Sequence, residues 1–376
     1  DLAVINVPHP HTDRQYAEPA WGIADSVQAR FILYGNIQII GQAIRVRAYL
    51  VDVQTRSSLW ADKFEYAFTP DELFKILDEI TVQVVMAVGD SFGQINRFLA
   101  EEQADKKVSE LNVHDAVLRY HHWVSTLSLE RGREAMAALE HAVKLDPAYA
   151  LTHGLLADVY AAHYQWGNER EAHWLDKSTT LARTALDLDA NSQYAQWAWA
   201  FNLYLHGDAE QFAPLVRRAI AKNPYNTNIC SAGGVKLCML GFWEEGLELI
   251  DRSIRLNRGM PGWSRIAWVL HLYLSKNYPE ALARAKLITT PDFWGGPLMR
   301  AAIYGRMDMK EQAASELSIL DRICPRFKND YRELMRRLFF QQGYVDELMH
   351  GLAAAGFDSN KDAGMKREGP KAPPGG

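Results

Sequence analysis

Residues 144–166 read KLDPAYALTHGLLADVYAAHYQW. A helical apolar pattern ends on Leu145, a turn follows at Asp146-Pro147, and a second helical pattern starts at Ala150. The same punctuation returns at Asp189-Ala190, Asn223-Pro224, Asn257-Arg258, Thr290-Pro291 and Cys324-Pro325. Successive spacings from Asp146 are 43, 34, 34, 33 and 34 residues. Proline lacks an N–H and clashes with the preceding turn, so it stops a helix. Four intervals at or within one residue of 34 mark an internal repeat of helical hairpins.

Small residues sit where the two helices of a hairpin must cross closely. The first unit has Ala135, Leu139 and Ala142 before Pro147, the fourth Gly234, Gly246 and Ser253, and the last Ala301, Tyr304 and Ala313. The third has Ala200 and Ala219 but Phe212 at a normally small position, with Ala213 beside it. The fifth, Trp268 to Ile288, fits only with a shifted turn. Over about 215 residues the pattern resembles the tetratricopeptide repeat family. The resemblance implies a mainly α fold, an α-α superhelical solenoid, with five repeats over 112–325. Its concave face would be lined by the first helix of each pair. Residues 326–357 read as a capping helix pair with its turn at Gly343, and 358–376 as a disordered tail. The second unit is nine residues too long (43 against 34), and the excess falls in HYQWGNEREAHW, 163–174. Such insertions map to one edge of a solenoid.

The first hundred residues read differently. FILYGNIQII (31–40), a turn at Gly41-Gln42 and the alternating AIRVRAYLVDV (43–53) predict a β-hairpin. Arg45 and Arg47 fall on its solvated side, and a third strand is expected at Ser58 to Phe64. Thr69-Pro70-Asp71-Glu72 starts a long helix, with Leu73, Ile76, Leu77, Ile80, Val84, Val85 and Val88 on its apolar side. "LAVINV" and "GIADSVQA" suggest a further strand and helix before residue 30. The Tyr34-Gly35 strand, "RVRAYLVD", Leu59-Trp60-Ala61 and Leu73 to Ile80 resemble the second half of a TolB-like α/β domain. Residues 1–100 are thus expected to form a small, partial α/β domain.

That order of modules resembles the C-terminal region of bacterial class III adenylate and guanylate cyclases and of CadC-like regulators. The resemblance implies a non-catalytic module that binds a protein or peptide in its concave groove, as part of a bacterial signalling protein. The alternatives are an envelope assembly or secretion adaptor, and an accessory region of a nucleotide cyclase. From repeat phase, the candidate groove residues are Arg119, His122, His153, Gln196, Asn202, Lys236, Arg265 and Arg300.

Other chemistry has little support. The chain has 376 residues, net charge −5 and 48% hydrophobic residues, so it can build a core but presents no global basic field for nucleic acid. Cys230, Cys238 and Cys324 form no CxxC and read as buried thiols of a reducing compartment. A cytoplasmic location is expected, with the periplasm as alternative. No membrane span, no cofactor and no metal are expected: His9-Pro10-His11 lacks further ligands nearby, and neighbouring His121 and His122 point about 100° apart on a helix. No P-loop, dinucleotide fingerprint or nucleophile elbow occurs. Trp197, Trp199, Trp263, Trp268 and Trp294 are expected to pack in the core. A chain beginning at Asp1 reads as a fragment or processed form.

Overall fold

The computed structural model describes residues 28–67, 69–167 and 173–358. The strand and helix expected before residue 28, the His9–His11 segment, the centre of the insertion and the tail beyond 358 lie outside these residues.

Three antiparallel strands open the described chain: β1 (Phe31–Ile40), β2 (Ala43–Asp52) and β3 (Ser57–Ala67), in the order β1-β2-β3. Gly41, at φ +60°, allows the two-residue turn between β1 and β2. β2 alternates as its sequence dictates: Ile44, Val46, Ala48 and Leu50 are buried, while Arg45, Arg47 and Tyr49 are half-exposed. Arg45 forms an ion pair with Glu65 on the facing position of β3. A short 3-10 turn, Pro70–Glu72, leads into α1 (Leu73–Gly89). The Thr69 N–H and hydroxyl both donate to the Glu72 carboxylate, at 3.0 and 2.8 Å. Ile76 and Ile80 then pack on Ile44, Val46, Ala48 and Phe64. A second helix, α2 (Gln94–Glu102), leads to the repeats.

From Val113 on, the protein is an α-α superhelical solenoid of the tetratricopeptide type. Six helix pairs follow: α3 (Val113–Thr126) with α4 (Leu129–Leu145), α5 (Ala150–Trp166) with α6 (His173–Leu188), and α7 (Gln193–Leu205) with α8 (Ala209–Lys222). Then come α9 (Thr227–Met239) with α10 (Trp243–Leu256), α11 (Ile266–Leu274) with α12 (Tyr278–Ala285), and α13 (Gly295–Arg306) with α14 (Lys310–Ile323). That is one pair more than expected, since the five intervals between turns separate units that follow a first pair. The shifted fifth unit is explained by a 3-10 turn, Gly262–Arg265, and two short helices. Gly295-Gly296-Pro297, which reads as an inter-repeat turn, is instead the first turn of α13.

A last pair, α15 (Phe327–Phe339) and α16 (Gln342–Ala354), follows. Its turn falls at Phe340-Gln341 and not at Gly343, and Phe340 takes φ +59° there. This pair does more than cover an end. The Arg337 guanidinium donates to Tyr164 O (2.8 Å), Gln165 Nε2 donates to Arg337 O (2.9 Å), and the Tyr273 hydroxyl donates to Glu347 O (2.9 Å). Trp294 Nε1 reaches Trp166 O at 3.0 Å, and the Leu129 N–H donates to Asp292 at 2.9 Å. The array therefore closes on itself, and its first helices are buried on nearly every side. All of α9 is buried, as is all of α5 except Leu151, Tyr164 and Trp166. Trp197, Trp263 and Trp294 belong to this core, with Trp199 and Trp268 half-buried against it, and the three thiols are buried too.

The α/β unit is fixed to the solenoid at Asp90, just past α1. Its carboxylate accepts from Thr227 Oγ1 (2.5 Å) and Asn257 Nδ2 (2.9 Å), and Arg97 donates to Gly259 O at 3.0 Å.

Candidate functional site

Two of the candidate positions, with Cys230, turn out to share one structural task. The His153 ring Nε2 lies 2.9 Å from Pro147 O, and Gln196 Nε2 donates to Ala190 O at 2.8 Å. Cys230 Sγ lies 3.5 Å from Pro224 O. Each side chain stands six residues after the turn whose carbonyl it meets, so this repeat phase caps the inter-repeat turns. Asn202 is fully buried, with Nδ2 donating to Ser178 Oγ and Ala198 O at 2.9 Å each, while its Oδ1 accepts from Thr179. Arg119 donates to the carbonyls of Gln103 and Lys106 at the end of α2 (3.1 and 2.5 Å). Arg300 pairs with Glu316 at 2.8 Å and donates to Ala285 O and Ile288 O at 3.3 Å. These side chains do not converge on one groove. His122 and Arg265 are half-buried, and burial lowers the pKa of both.

Replacing Gln196 by Ala should cost about 1 kcal/mol of unfolding free energy, since one turn carbonyl loses its donor. Urea denaturation reads this directly.

Lys236 occupies a different setting. It is 5% exposed, and its Nζ lies 3.8 Å from the Phe201 ring centroid, 5.2 Å from Trp197 and 5.7 Å from Tyr204. It donates no hydrogen bond among the described residues. Behind it sits Asp158, 5% exposed, accepting from the Tyr120 hydroxyl and from Trp197 Nε1, both at 2.7 Å. Asn228 Nδ2 donates to the Tyr120 oxygen at 3.3 Å. α3, α5, α7 and α9 each contribute to this cluster. Burial drives the Lys236 ammonium down to about 7, against the pull of the Asp158 charge. Burial likewise raises the Asp158 carboxyl. Repeat phase marked Lys236 but not Asp158. The signal was a single charge inside an apolar helical run, as in LLADVYAA and GGVKLCML.

On the outside, an open groove of about 930 Å³ runs along α10. Phe242, Trp243 and Trp268 supply its aromatic surface. Glu244, Glu248 and Asp251 stand at i, i+4 and i+7 on α10, which puts three carboxylates on one helix face. Glu248 is paired with Arg255, and Asp251 accepts from Trp268 Nε1 at 2.7 Å. The short helices of the next pair line only its Trp268 side. Among the described residues no group of three or more His, Cys, Asp or Glu could hold a metal. No helix among them is long and apolar enough to cross a membrane.

No family model matches the chain. It is 23% identical over 185 residues to the "Putative adenylate cyclase 3" of Rhizobium meliloti (strain 1021), a match that covers 48% of this chain and 30% of that protein. The chain thus spans about a third of the curated relative it matches. Among solved structures it is similar to Pseudomonas aeruginosa pilF (TM-score 0.38, 19% identity, 58% of this chain and 95% of that one). It is also similar to YrrB, described as a TPR protein with an unusual peptide-binding site (TM-score 0.32, 17% identity, 50% and 93%). The human IFIT1 dimer with m7Gppp-AAAA covers more of the chain (TM-score 0.46, 16% identity, 77% and 74%).

Proposed function

We propose that the chain is a non-catalytic interaction module of a larger bacterial signalling protein, and that it holds a protein or peptide partner. The observation that carries this reading is the open aromatic and acidic groove on α10, set in a repeat scaffold where Arg119, His153, Gln196, Asn202 and Arg300 are engaged in the fold. A groove of this size, open along its length, suits an extended segment better than an enclosed small molecule. The carboxylate face favours a basic one. The first helices of the pairs are poorer candidates, because α5 and α9 are almost wholly buried and the chain's own last helices bond to the end of α5. The partial likeness to a longer cyclase supports a regulatory place beside an effector domain, and the sheet with its covering helix supports the TolB-like reading.

The test is affinity capture with the whole chain, followed by calorimetry on the purified captured protein. Glu244→Lys/Glu248→Lys should weaken its binding about tenfold or more, and Glu130→Lys/Glu311→Lys, the same charge change elsewhere, should leave it within about twofold. Equal loss in both double variants, or none in either, would remove the groove from the reading.

A further inference from the structure

An ammonium group has three donors, and with Lys236 only 5% exposed little water reaches them. Among the described residues Lys236 meets no acceptor within hydrogen-bond distance. Three aromatic faces and the field of Asp158 are its compensation. Cation–π contacts offset only part of the desolvation.

The groups around it come from every helix in the cluster. α5 supplies Asp158, α7 the rings of Trp197, Phe201 and Tyr204, α3 Tyr120, and α9 itself Asn228. Burial raises both tyrosine hydroxyls, so neither ionises near neutral pH. Asp158 and Lys236 are left as the titrating pair. Tyr204 also ties this cluster to the closure of the solenoid, since its hydroxyl donates to Leu338 O at 3.4 Å and its ring lies 5.1 Å from that of Phe340.

We infer that Lys236 is a protonation switch, whose charging loosens α7 and α9 and with them the seat of α15 on the solenoid. When neutral, the amine sits among rings as an apolar group. When charged, it needs water or a direct bond to Asp158, and Asp158 already serves Trp197 and Tyr120. Either response shifts α7. The sign follows from linkage. The folded pKa, about 7, lies below the unfolded value near 10.5, so the unfolded chain binds more protons between them. Stability therefore rises with pH from about 7 to about 10.5, and the loosened form belongs to the acid side.

Hydrogen exchange of the whole chain, corrected for intrinsic rates, tests this between pH 6 and pH 9. Protection of 193–205, 227–239 and 327–339 should fall about tenfold or more between pH 9 and pH 7 and level off below about 7. Lys236→Met should hold the high-pH protection throughout, and Lys236→Gln serves the same purpose if Met packs badly. Lys236→Arg should keep the low-pH protection throughout. His122→Gln, which removes a half-buried histidine, should leave the transition in place. A transition that survives in both neutral variants, or its absence from the wild type, overturns the switch.

Discussion

Gly246→Ala is expected to destabilise the solenoid by about 2–3 kcal/mol, although the same change stabilises an ordinary helix by about 0.5–1 kcal/mol. The reversal of sign comes from the crossing of α9 and α10. A Cβ on Gly246 would lie 2.5 Å from Gly234 O and 2.5 Å from Cys238 Sγ. A Cβ on Gly234 would lie 2.7 Å from Gly246 O. The two carbonyl oxygens belong to the backbones of opposing helices, each held by its own ladder, and they cannot rotate aside. The two helices must separate, and Leu237, Leu247 and Ile250 lose contact along the seam. Gly343→Ala is the internal control. It lies in α16, with nothing within 4 Å of where the added methyl would sit, so it should be neutral or gain up to about 1 kcal/mol. Urea or thermal unfolding of the two variants, side by side, decides the matter. A Gly246→Ala protein as stable as the control would mean that the crossing is looser than its geometry.

Asp90→Ala should release the α/β unit from the repeats. Asp90 is 7% exposed and accepts from Thr227 and Asn257, with further support from the backbone N–H groups of Ser91 and Phe92. Its removal orphans a buried hydroxyl and a buried amide, each worth about 1–3 kcal/mol, for a total near 3 kcal/mol. The expected result is faster protease cleavage between α1 and α3, while the repeats keep their own melting transition. The acid dependence of this joint has a definite sign. Burial, the largest cause, raises the Asp90 carboxyl above its usual value despite its donors. The folded form then holds a proton at pH values where the unfolded chain has lost it. Stability from this group is full below the unfolded value of about 3.8 and is lost as pH rises through the folded one. Mild acid should therefore tighten the joint. Cleavage between α1 and α3 that speeds up as the pH falls toward about 3.8, measured in a Lys236→Met background, would contradict this.

Much of the architecture was legible because its causes are local. The alternation of Ile44, Val46, Ala48 and Leu50 against Arg45 and Arg47 specifies a half-buried strand, and the structure holds that register. The turns at Asp146-Pro147 and Asn223-Pro224 fall between helices as their spacing requires. Gly234 and Gly246 mark a close crossing for the reason their type suggests. Where local signals were ambiguous, boundaries moved. Gly295-Gly296-Pro297 opens a helix, since proline is welcome in a first turn, and the turn expected at Gly343 falls at Phe340-Gln341, where Phe340 takes a positive φ.

The candidate site was legible only in part. Periodicity placed His153, Gln196, Asn202 and Lys236 on the first helix of a pair, and α5, α7 and α9 carry them. It could not say what lies opposite them. Contacts such as Gln165 with Arg337 and Trp166 with Trp294 join residues more than a hundred positions apart, and no repeat phase encodes them. The stack of hairpins is determined by the sequence alone, because each hairpin is written within about 34 residues. Whether the stack leaves an open groove was decided by tertiary structure: the apolar faces of Phe327, Leu334 and Leu338 are buried within the same core as the repeats. With those faces buried, the first helices offer little open surface, Lys236 is a buried charge and not an exposed groove residue, and the groove along α10 lies open on the outside.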